Sequence, residues 1–174
     1  MREQPSTASK AQLRGDLERT RDEFRSLVQS LSEADLKRKR PGSPWSVGSL
    51  LAHLVASMEI LPREFSAARK GRNFMALPPW LFNPIRMGTA RLLTTGQTRA
   101  KLVRRYDAAC TRVLQALDTV REDEWQRGGH FYDEGYWTVQ TIFETQPRHF
   151  QEHAAEIRRI IGGTSKAQAP SRSN

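Results

Sequence analysis

Apolar side chains recur every three or four residues in four separate stretches of the chain, and this spacing predicts four α-helices. The expected helices cover residues 10–31, 46–70, 97–117 and 138–161. Ser46 is a predicted N-cap, because a serine before an apolar periodic run can accept a backbone hydrogen bond at a helix start. No stretch has a pattern that predicts a β-strand, so the expected fold class is all-α.

Two long connections, residues 71–96 and 118–136, separate the predicted helices. The first contains proline, glycine and aromatic residues and is expected to pack onto the helices as a crossover. Helices joined in this way favour a four-helix bundle whose path is not a simple up-down-up-down series. We expect one domain over residues 10–163, a flexible N-terminus over residues 1–9 and a disordered tail over residues 164–174.

Two prolines fall inside predicted helices. Pro62 lies within the second apolar pattern, where the missing N–H and the ring predict a kink or a helix end. Pro147 lies two residues before His149 in the fourth helix. Unless a bulge absorbs it, Pro147 is expected to bend that helix, which could widen the surroundings of His149 or misplace it.

Composition excludes some classes of protein. Hydrophobic residues make up 37% of the chain, which is enough for a core if they share helix faces. The single cysteine, Cys110, excludes an intramolecular disulfide and a zinc site built on cysteines, and is expected in the core. No signal-peptide pattern or membrane-spanning apolar stretch is found, so we expect a soluble cytoplasmic protein without membrane contact.

The net charge of +9 comes from the middle of the chain. Residues 61–105 carry 10 basic side chains and only one acidic one, Glu64. Such a segment could attract nucleic acid, anionic lipid or an anionic substrate or cofactor, although a solvated basic surface is the commoner reason. A nucleic-acid partner is not expected, because no recognisable binding motif accompanies the charge.

Three of the four histidines are spaced so that they could bind one metal ion. His149 and His153 form an H-x-x-x-H pair on one face of the fourth helix, and His53 lies on the apolar face of the second. Three neutral imidazoles leave at least one coordination position open, which is typical of catalytic metal sites. The alternative is a set of ordinary core histidines that hydrogen-bond to their neighbours, which is the commoner role for a lone residue such as His53.

Other polar residues are weaker candidates for a site. The loop GGHFYDEGYW could form a rim that supplies a general acid or base, although an ordinary polar turn is favoured. Glu152 and Glu156 could orient a histidine ligand or could form surface ion pairs. The weak catalytic candidates in the loop are His130, Tyr132, Asp133 and Glu134.

The chain contains a faint internal repeat. Trp45-Ser46-Val47 precedes the second helix and Trp137-Thr138-Val139 precedes the fourth, each after a helix and a charged connection. Two related halves would place the second and fourth helices alike and could bring their histidines together.

The segments PWSVGSLLAHL (residues 44–54) and YWTVQTIFETQPRHFQEHAAEI (residues 136–157) resemble the DinB-like superfamily, which includes YfiT-like and bacillithiol-transferase-like bundles. The resemblance implies a four-helix bundle with parallel neighbouring helices, long crossovers and frequent dimerisation. It also implies that His53, His149 and His153 bind a divalent metal: zinc, nickel, iron or manganese.

The predicted three-histidine metal site and the resemblance to the DinB-like superfamily together favour a metal-dependent enzyme that acts on a small-molecule substrate. The expected activity is thiol S-transfer or a related isomerisation or hydrolysis, with a low-molecular-weight thiol such as bacillithiol or mycothiol as a possible second cofactor. The basic segment could then bind the carboxylates of such a thiol. Two alternatives are a non-catalytic metal- or ligand-binding protein used in stress protection and, less expected, a nucleic-acid-associated protein.

Overall fold

The computed structural model describes residues 8–75, 97–132 and 135–165, and it confirms the four-helix architecture. Each helix lies within a few residues of its predicted bounds. The predicted crossover core (residues 76–96) and Asp133 and Glu134 lie outside the described residues. The helices are α1 (Lys10–Gln29), α2 (Val47–Arg69), α3 (Arg99–Asp118) and α4 (Val139–Ser165), with single 3-10 turns at Asp35–Lys37 and Glu122–Glu124.

Side-chain caps fix where the helices begin. Ser46 is confirmed as an N-cap, because its Oγ accepts the backbone N–H of Ser49 at 3.1 Å. Ser9 caps α1 in a reciprocal arrangement in which the Gln12 side chain accepts the Ser9 N–H. Each cap satisfies a donor that the first helical turn leaves without an internal partner.

The helices pack in the order α1–α3–α2–α4 around the bundle, with α4 closing against α1. Helix α1 is antiparallel to α3, since Lys10 reaches the carbonyl of Val120 while Arg25 pairs with Asp107. Helix α3 is parallel to α2, since Glu59 pairs with Arg105 and the C-terminal ends of both helices meet.

Helix α2 is in turn antiparallel to α4. His53 lies against His149 near one end of this contact, and Phe65 packs on Phe143 near the other, with ring centroids 5.6 Å apart. It follows that α1 runs parallel to α4. Two pairs of neighbouring helices are therefore parallel, which a chain can achieve only with long crossovers.

Apolar faces of all four helices form one core. Phe24 of α1 stacks on Tyr106 of α3 with centroids 3.9 Å apart and also contacts Phe150 of α4. Cys110 is fully buried as expected, with its Sγ 3.8 Å from the carbonyl oxygen of Leu17. Full burial of each large apolar side chain contributes about 1.5–3 kcal/mol, so these contacts dominate the stability of the bundle.

The sequence shows no confident strand, but the described part of this otherwise helical chain contains one short hairpin. Residues Gly128–Phe131 (β1) and Gly135–Thr138 (β2) pair in an antiparallel hairpin just before α4. Glycine usually disfavours strands, so the glycine-rich sequence of this segment did not predict the hairpin. Here the glycines are required, since a Cβ on Gly128 would lie 2.1 Å from the carbonyl oxygen of Trp137.

The predicted internal repeat is visible in the backbone. Thr138 accepts the N–H of Thr141 at 3.1 Å, as Ser46 does with Ser49. The next residue in each half then donates to an earlier strand-like segment: Val47 to the carbonyl of Arg38 at 2.9 Å and Val139 to that of Arg127 at 2.8 Å. Both halves thus enter their second helix through the same local structure.

None of the helices in the described ranges has a segment of sufficient length and apolarity to cross a membrane.

The close approach at Gly128 gives a direct test of the hairpin. We expect Gly128→Ala to destabilise the protein by at least about 2 kcal/mol, because the new methyl group meets backbone atoms that cannot rotate away. Gly162→Ala is the matched control, since nothing lies within 4 Å of its Cβ position and alanine favours a helix more than glycine does. Urea unfolding measures the free energy of unfolding of both variants. Equal stabilities of Gly128→Ala and Gly162→Ala would contradict the close packing of Gly128 against Trp137.

Candidate metal centre

Three imidazole rings meet between α2 and α4. His53 lies seven residues after the Ser46 cap, on the side of α2 that faces α4. His149 and His153 are one turn apart on α4, so both point from the same face. Each ring is half-buried. The antiparallel packing of two helices therefore brings together residues that are almost one hundred positions apart in sequence.

The distances between the rings suit a shared ion. The Nε2 atoms of His53 and His149 are 3.1 Å apart, and the ligand nitrogens of all three residues lie within 4.8 Å of one another. Two nitrogens that each lie about 2.0–2.1 Å from an ion are separated by about 3 Å in octahedral geometry and about 3.4 Å in tetrahedral geometry. A side-chain rotation of roughly 10–15° moves a ring nitrogen by about 1 Å, which is enough to close the widest separation.

The rings also meet in a way that keeps at least one of them neutral. The contact between His53 and His149 is a hydrogen bond only if one nitrogen donates and the other accepts. Burial, followed by the proximity of His53 and His153, lowers the pKa of His149 from its usual 6.5 to about 3. At neutral pH His149 therefore presents a lone pair, as a metal ligand must.

Two neighbours orient the rings. The indole of Trp45 meets His53 edge-on with centroids 5.7 Å apart. The carboxylate of Glu156 lies 3.6 Å from Nδ1 of His153, which is too far for a hydrogen bond but close enough for an electrostatic contact. Glu152, the other candidate for this role, is exposed on α4.

Pro147 does not prevent this arrangement. Helix α4 continues through Pro147 from Val139 to Ser165, and His149 still reaches His53. Pro62 likewise lies inside α2, which continues to Arg69. Tertiary packing on both helices compensates for the hydrogen bonds that the two prolines cannot make.

Of the weak catalytic candidates, the structure describes His130 and Tyr132, and both lie in the hairpin region rather than beside the three histidines. His130 is exposed and contacts the Tyr136 ring edge-on, with centroids 5.7 Å apart. Tyr132 has a left-handed backbone with φ of 51° and donates its hydroxyl to the carboxylate of Glu64. Glu64 follows His53 by 11 residues on α2, which is about 16 Å along the helix axis. The structure thus joins neither His130 nor Tyr132 to the histidine cluster.

Sequence reasoning did not identify the buried carboxylates. Glu64 is 3% exposed, and Glu124, in the 3-10 turn after α3, is 1% exposed. The position of Glu64 between two inward-facing apolar residues, Leu61 and Phe65, was the available signal. No periodic pattern marks Glu124, because a single 3-10 turn is too short to have one.

The basic segment is partly neutralised by ion pairs. Arg69, Arg99 and Arg105 pair with Glu124, Glu33 and Glu59 at 2.7, 3.2 and 2.7 Å respectively. Each pair joins two different elements of the fold. Three of the eight basic side chains in the described part of this segment therefore have a structural role.

The sequence model of the DinB superfamily matches residues 16–157. Among solved structures, YfiT from Bacillus subtilis, described as a probable metal-dependent hydrolase with an unusual four-helix bundle topology, superposes with a TM-score of 0.71 at 18% identity. That match covers 93% of each chain. No curated protein sequence matches this chain significantly.

Two further solved structures share the fold. A mycothiol-dependent maleylpyruvate isomerase has a TM-score of 0.69 at 14% identity over 86% of this chain, which spans only 60% of the isomerase. The colibactin self-resistance protein ClbS, solved with double-stranded DNA, has a TM-score of 0.68 at 12% identity and covers 90% of this chain and 97% of its own. Because ClbS was solved with DNA, these comparisons do not support the expectation that this chain has no nucleic-acid partner.

The hydrogen bond between Tyr132 and Glu64 predicts a measurable loss of stability when it is removed. We expect Tyr132→Phe to destabilise the protein by about 1.5–3 kcal/mol, because a buried carboxylate loses a hydroxyl donor. Tyr136→Phe makes the same chemical change on an exposed ring and should stay within about 0.5 kcal/mol of the native protein. Thermal unfolding compares the stabilities of the two variants. If Tyr132→Phe is as stable as the native protein, the hydrogen bond to Glu64 contributes nothing to stability.

Proposed function

The chain belongs to the DinB superfamily, and we propose that it is a metal-dependent enzyme whose divalent ion is bound by His53, His149 and His153. The observation that carries the proposal is the convergence of three half-buried imidazoles from two helices. Protonation of any of these rings would place charge in a half-buried site beside two other imidazoles. Bound metal removes that difficulty by keeping the rings neutral.

The donor set restricts the ion and its use. Imidazole nitrogen suits zinc, nickel, iron and manganese to different degrees, with manganese the weakest of the four. Three protein ligands leave at least one position for a small molecule, as catalytic rather than structural sites do. When bound, the ion would favour the deprotonated, nucleophilic form of a thiol or of water.

The residues of the chain prepare the site in three ways. The low pKa of His149 keeps its ring available as a ligand at neutral pH. Trp45 restricts the rotation of the His53 ring and covers one side of it with apolar surface. Glu156 places a carboxylate 3.6 Å from Nδ1 of His153, where its negative charge can stabilise that ring once the ion is bound.

The reaction class that this site supports best is transfer of a low-molecular-weight thiol to a small electrophilic molecule, or the related isomerisation or hydrolysis. Support comes from the fold: one neighbour is a mycothiol-dependent isomerase and another is described as a metal-dependent hydrolase. A cytoplasmic location fits this reaction, because thiol cofactors stay reduced there. A small-molecule substrate fits a site that lies between two helices. A homodimer, which the family resemblance implies, is part of the same proposal.

Metal analysis tests the ligand assignment. We expect purified protein to hold about one divalent ion per chain, and His53→Ala or His153→Ala to lose most of it, because two imidazoles bind far more weakly than three. Elemental analysis after gel filtration gives the stoichiometry. Thermal unfolding with and without a chelator should show that the ion stabilises only the native protein.

His130→Ala is the matched control for both histidine variants. It removes the fourth histidine, which is exposed on the hairpin, and should leave the metal content unchanged. Full occupancy in His53→Ala and His153→Ala would reject the assignment of these ligands.

Turnover separates an enzyme from a non-catalytic metal-binding protein. With metal and mycothiol or bacillithiol, we expect electrophilic substrates to be consumed, and His53→Ala to lower the rate by at least about 100-fold, since a metal ion supplies several kcal/mol of stabilisation. Mass spectrometry of the thiol adduct or isomerised product measures the rate. A metal-loaded protein without turnover for any thiol or for water would identify the non-catalytic alternative.

A further inference from the structure

A second site lies at the other end of α2. Arg69 follows His53 by 16 residues, which places it about 24 Å along the helix axis from the metal centre. There α2 meets the 3-10 turn and the hairpin and leaves an open cleft of about 670 Å³. We call this the basic cleft; its polar lining consists of Arg69, Lys70, Arg121, Glu124, Arg127 and Tyr136.

The basic cleft has a surplus of positive charge. Four cationic side chains line it against one carboxylate, that of Glu124. Asp123, which pairs with Arg121 and Arg127, adds a second negative charge close by. Four cations against two carboxylates leave a surplus of two, which is the charge that balances a dianion such as a phosphate monoester.

Glu124 holds Arg69 in position at the edge of the cleft. Its carboxylate accepts two hydrogen bonds from Arg69, at 3.0 and 2.7 Å, and the backbone N–H of Arg121 at 3.0 Å. The Arg69 guanidinium also donates to the carbonyl of Thr119 at 2.6 Å. Glu124 is thus saturated by internal partners and holds Arg69 against the turn.

Asp123 fixes the other two arginines. It accepts the Arg121 Nε–H at 3.0 Å and a short hydrogen bond from Arg127. A guanidinium has five N–H donors, and these bonds use only some of them. Both arginines are therefore restrained while they retain donors for a ligand, which lowers the entropy lost when an anion binds.

The floor of the basic cleft is backbone. Gly71 and Gly128 line it without side chains, and Gly71 has a φ of +64°, which glycine adopts readily. The close approach of Gly128 to Trp137 excludes a larger residue there.

Tyr136 gives the basic cleft a planar apolar wall. Its ring is 57% exposed, although large aromatic side chains are usually covered, and it is supported from one side by His130. An exposed aromatic ring beside arginines and a lysine is the combination that stacks on a planar base while the cations bind its phosphate.

From these features we infer that the basic cleft binds a phosphorylated ligand with a planar ring, of the chemical class of a mononucleotide. The volume of the cleft lies within the range of small-molecule sites. The same chemistry is offered by a free mononucleotide and by the phosphorylated end of a nucleic-acid strand. The inference does not depend on the metal centre or on the reaction proposed for it.

Binding of AMP, inorganic phosphate and adenosine to the full-length protein tests the site by calorimetry. We expect AMP to bind about tenfold tighter than phosphate, because stacking on Tyr136 adds to the ionic contacts. Lys70→Gln/Arg127→Gln should weaken AMP by at least about tenfold, since hydrogen bonds to charged groups are lost. Tyr136→Leu should weaken AMP to the level of phosphate and leave phosphate unchanged.

The matched control is Arg104→Gln/Arg112→Gln, which removes the same charge from the exposed face of α3 and should bind AMP as the native protein does. Chemical shifts of the Gly71 and Gly128 amides should move with AMP in both the native protein and this control. Equal affinity in the cleft and control variants overturns the inference, as does the absence of saturable AMP binding below about 10 mM.

A 5′-phosphorylated oligonucleotide of a few residues distinguishes the two sources of the ligand. Tighter binding than AMP, weakened by the same cleft variants, supports the end of a strand. Binding no tighter than AMP supports a free nucleotide. Tighter binding that the cleft variants leave unchanged would place the strand on another surface and would contradict the inference for nucleic acid.

Discussion

The antiparallel contact between α2 and α4 brings the three clustered histidines together. It sets the 3.1 Å separation between the Nε2 atoms of His53 and His149, and it depends on the apolar packing of Phe65 on Phe143 further along the same two helices. A shift of one helical turn along either axis would move a ring by about 5.4 Å and separate the three imidazoles. The stability of the core and the chemistry of the centre therefore depend on the same interface.

The two halves of the chain are alike in backbone and different in chemistry. Ser46 and Thr138 cap α2 and α4 by the same hydrogen bonds. Counting from these caps, the residue that corresponds to His53 is Thr145, and His149 and His153 lie further along α4. A nearly symmetric scaffold thus carries an asymmetric set of histidines, one on α2 and two on α4.

Charge summed along the sequence does not locate charge on the surface. Arg69, Arg99 and Arg105 of the basic middle segment pair with carboxylates from three different parts of the fold. The basic cleft instead combines Arg69 and Lys70 of that segment with Arg121 and Arg127 from a region whose sequence is nearly balanced in charge. Folding, by bringing a helix end against a turn, concentrated charges that are distant in the chain.

The sequence by itself determined the helices, the Ser46 cap and the three histidines, because helical spacing, N-cap chemistry and an H-x-x-x-H pair are local properties. It could not determine the hairpin, where glycines that usually disfavour strands are required by backbone atoms of Trp137. It also could not show that α4 continues through Pro147, that Tyr132 reaches Glu64, or that a cleft forms beside Arg69. Only the tertiary structure decided these features, because each depends on contacts between residues far apart in the chain, and local pattern carries no information about them.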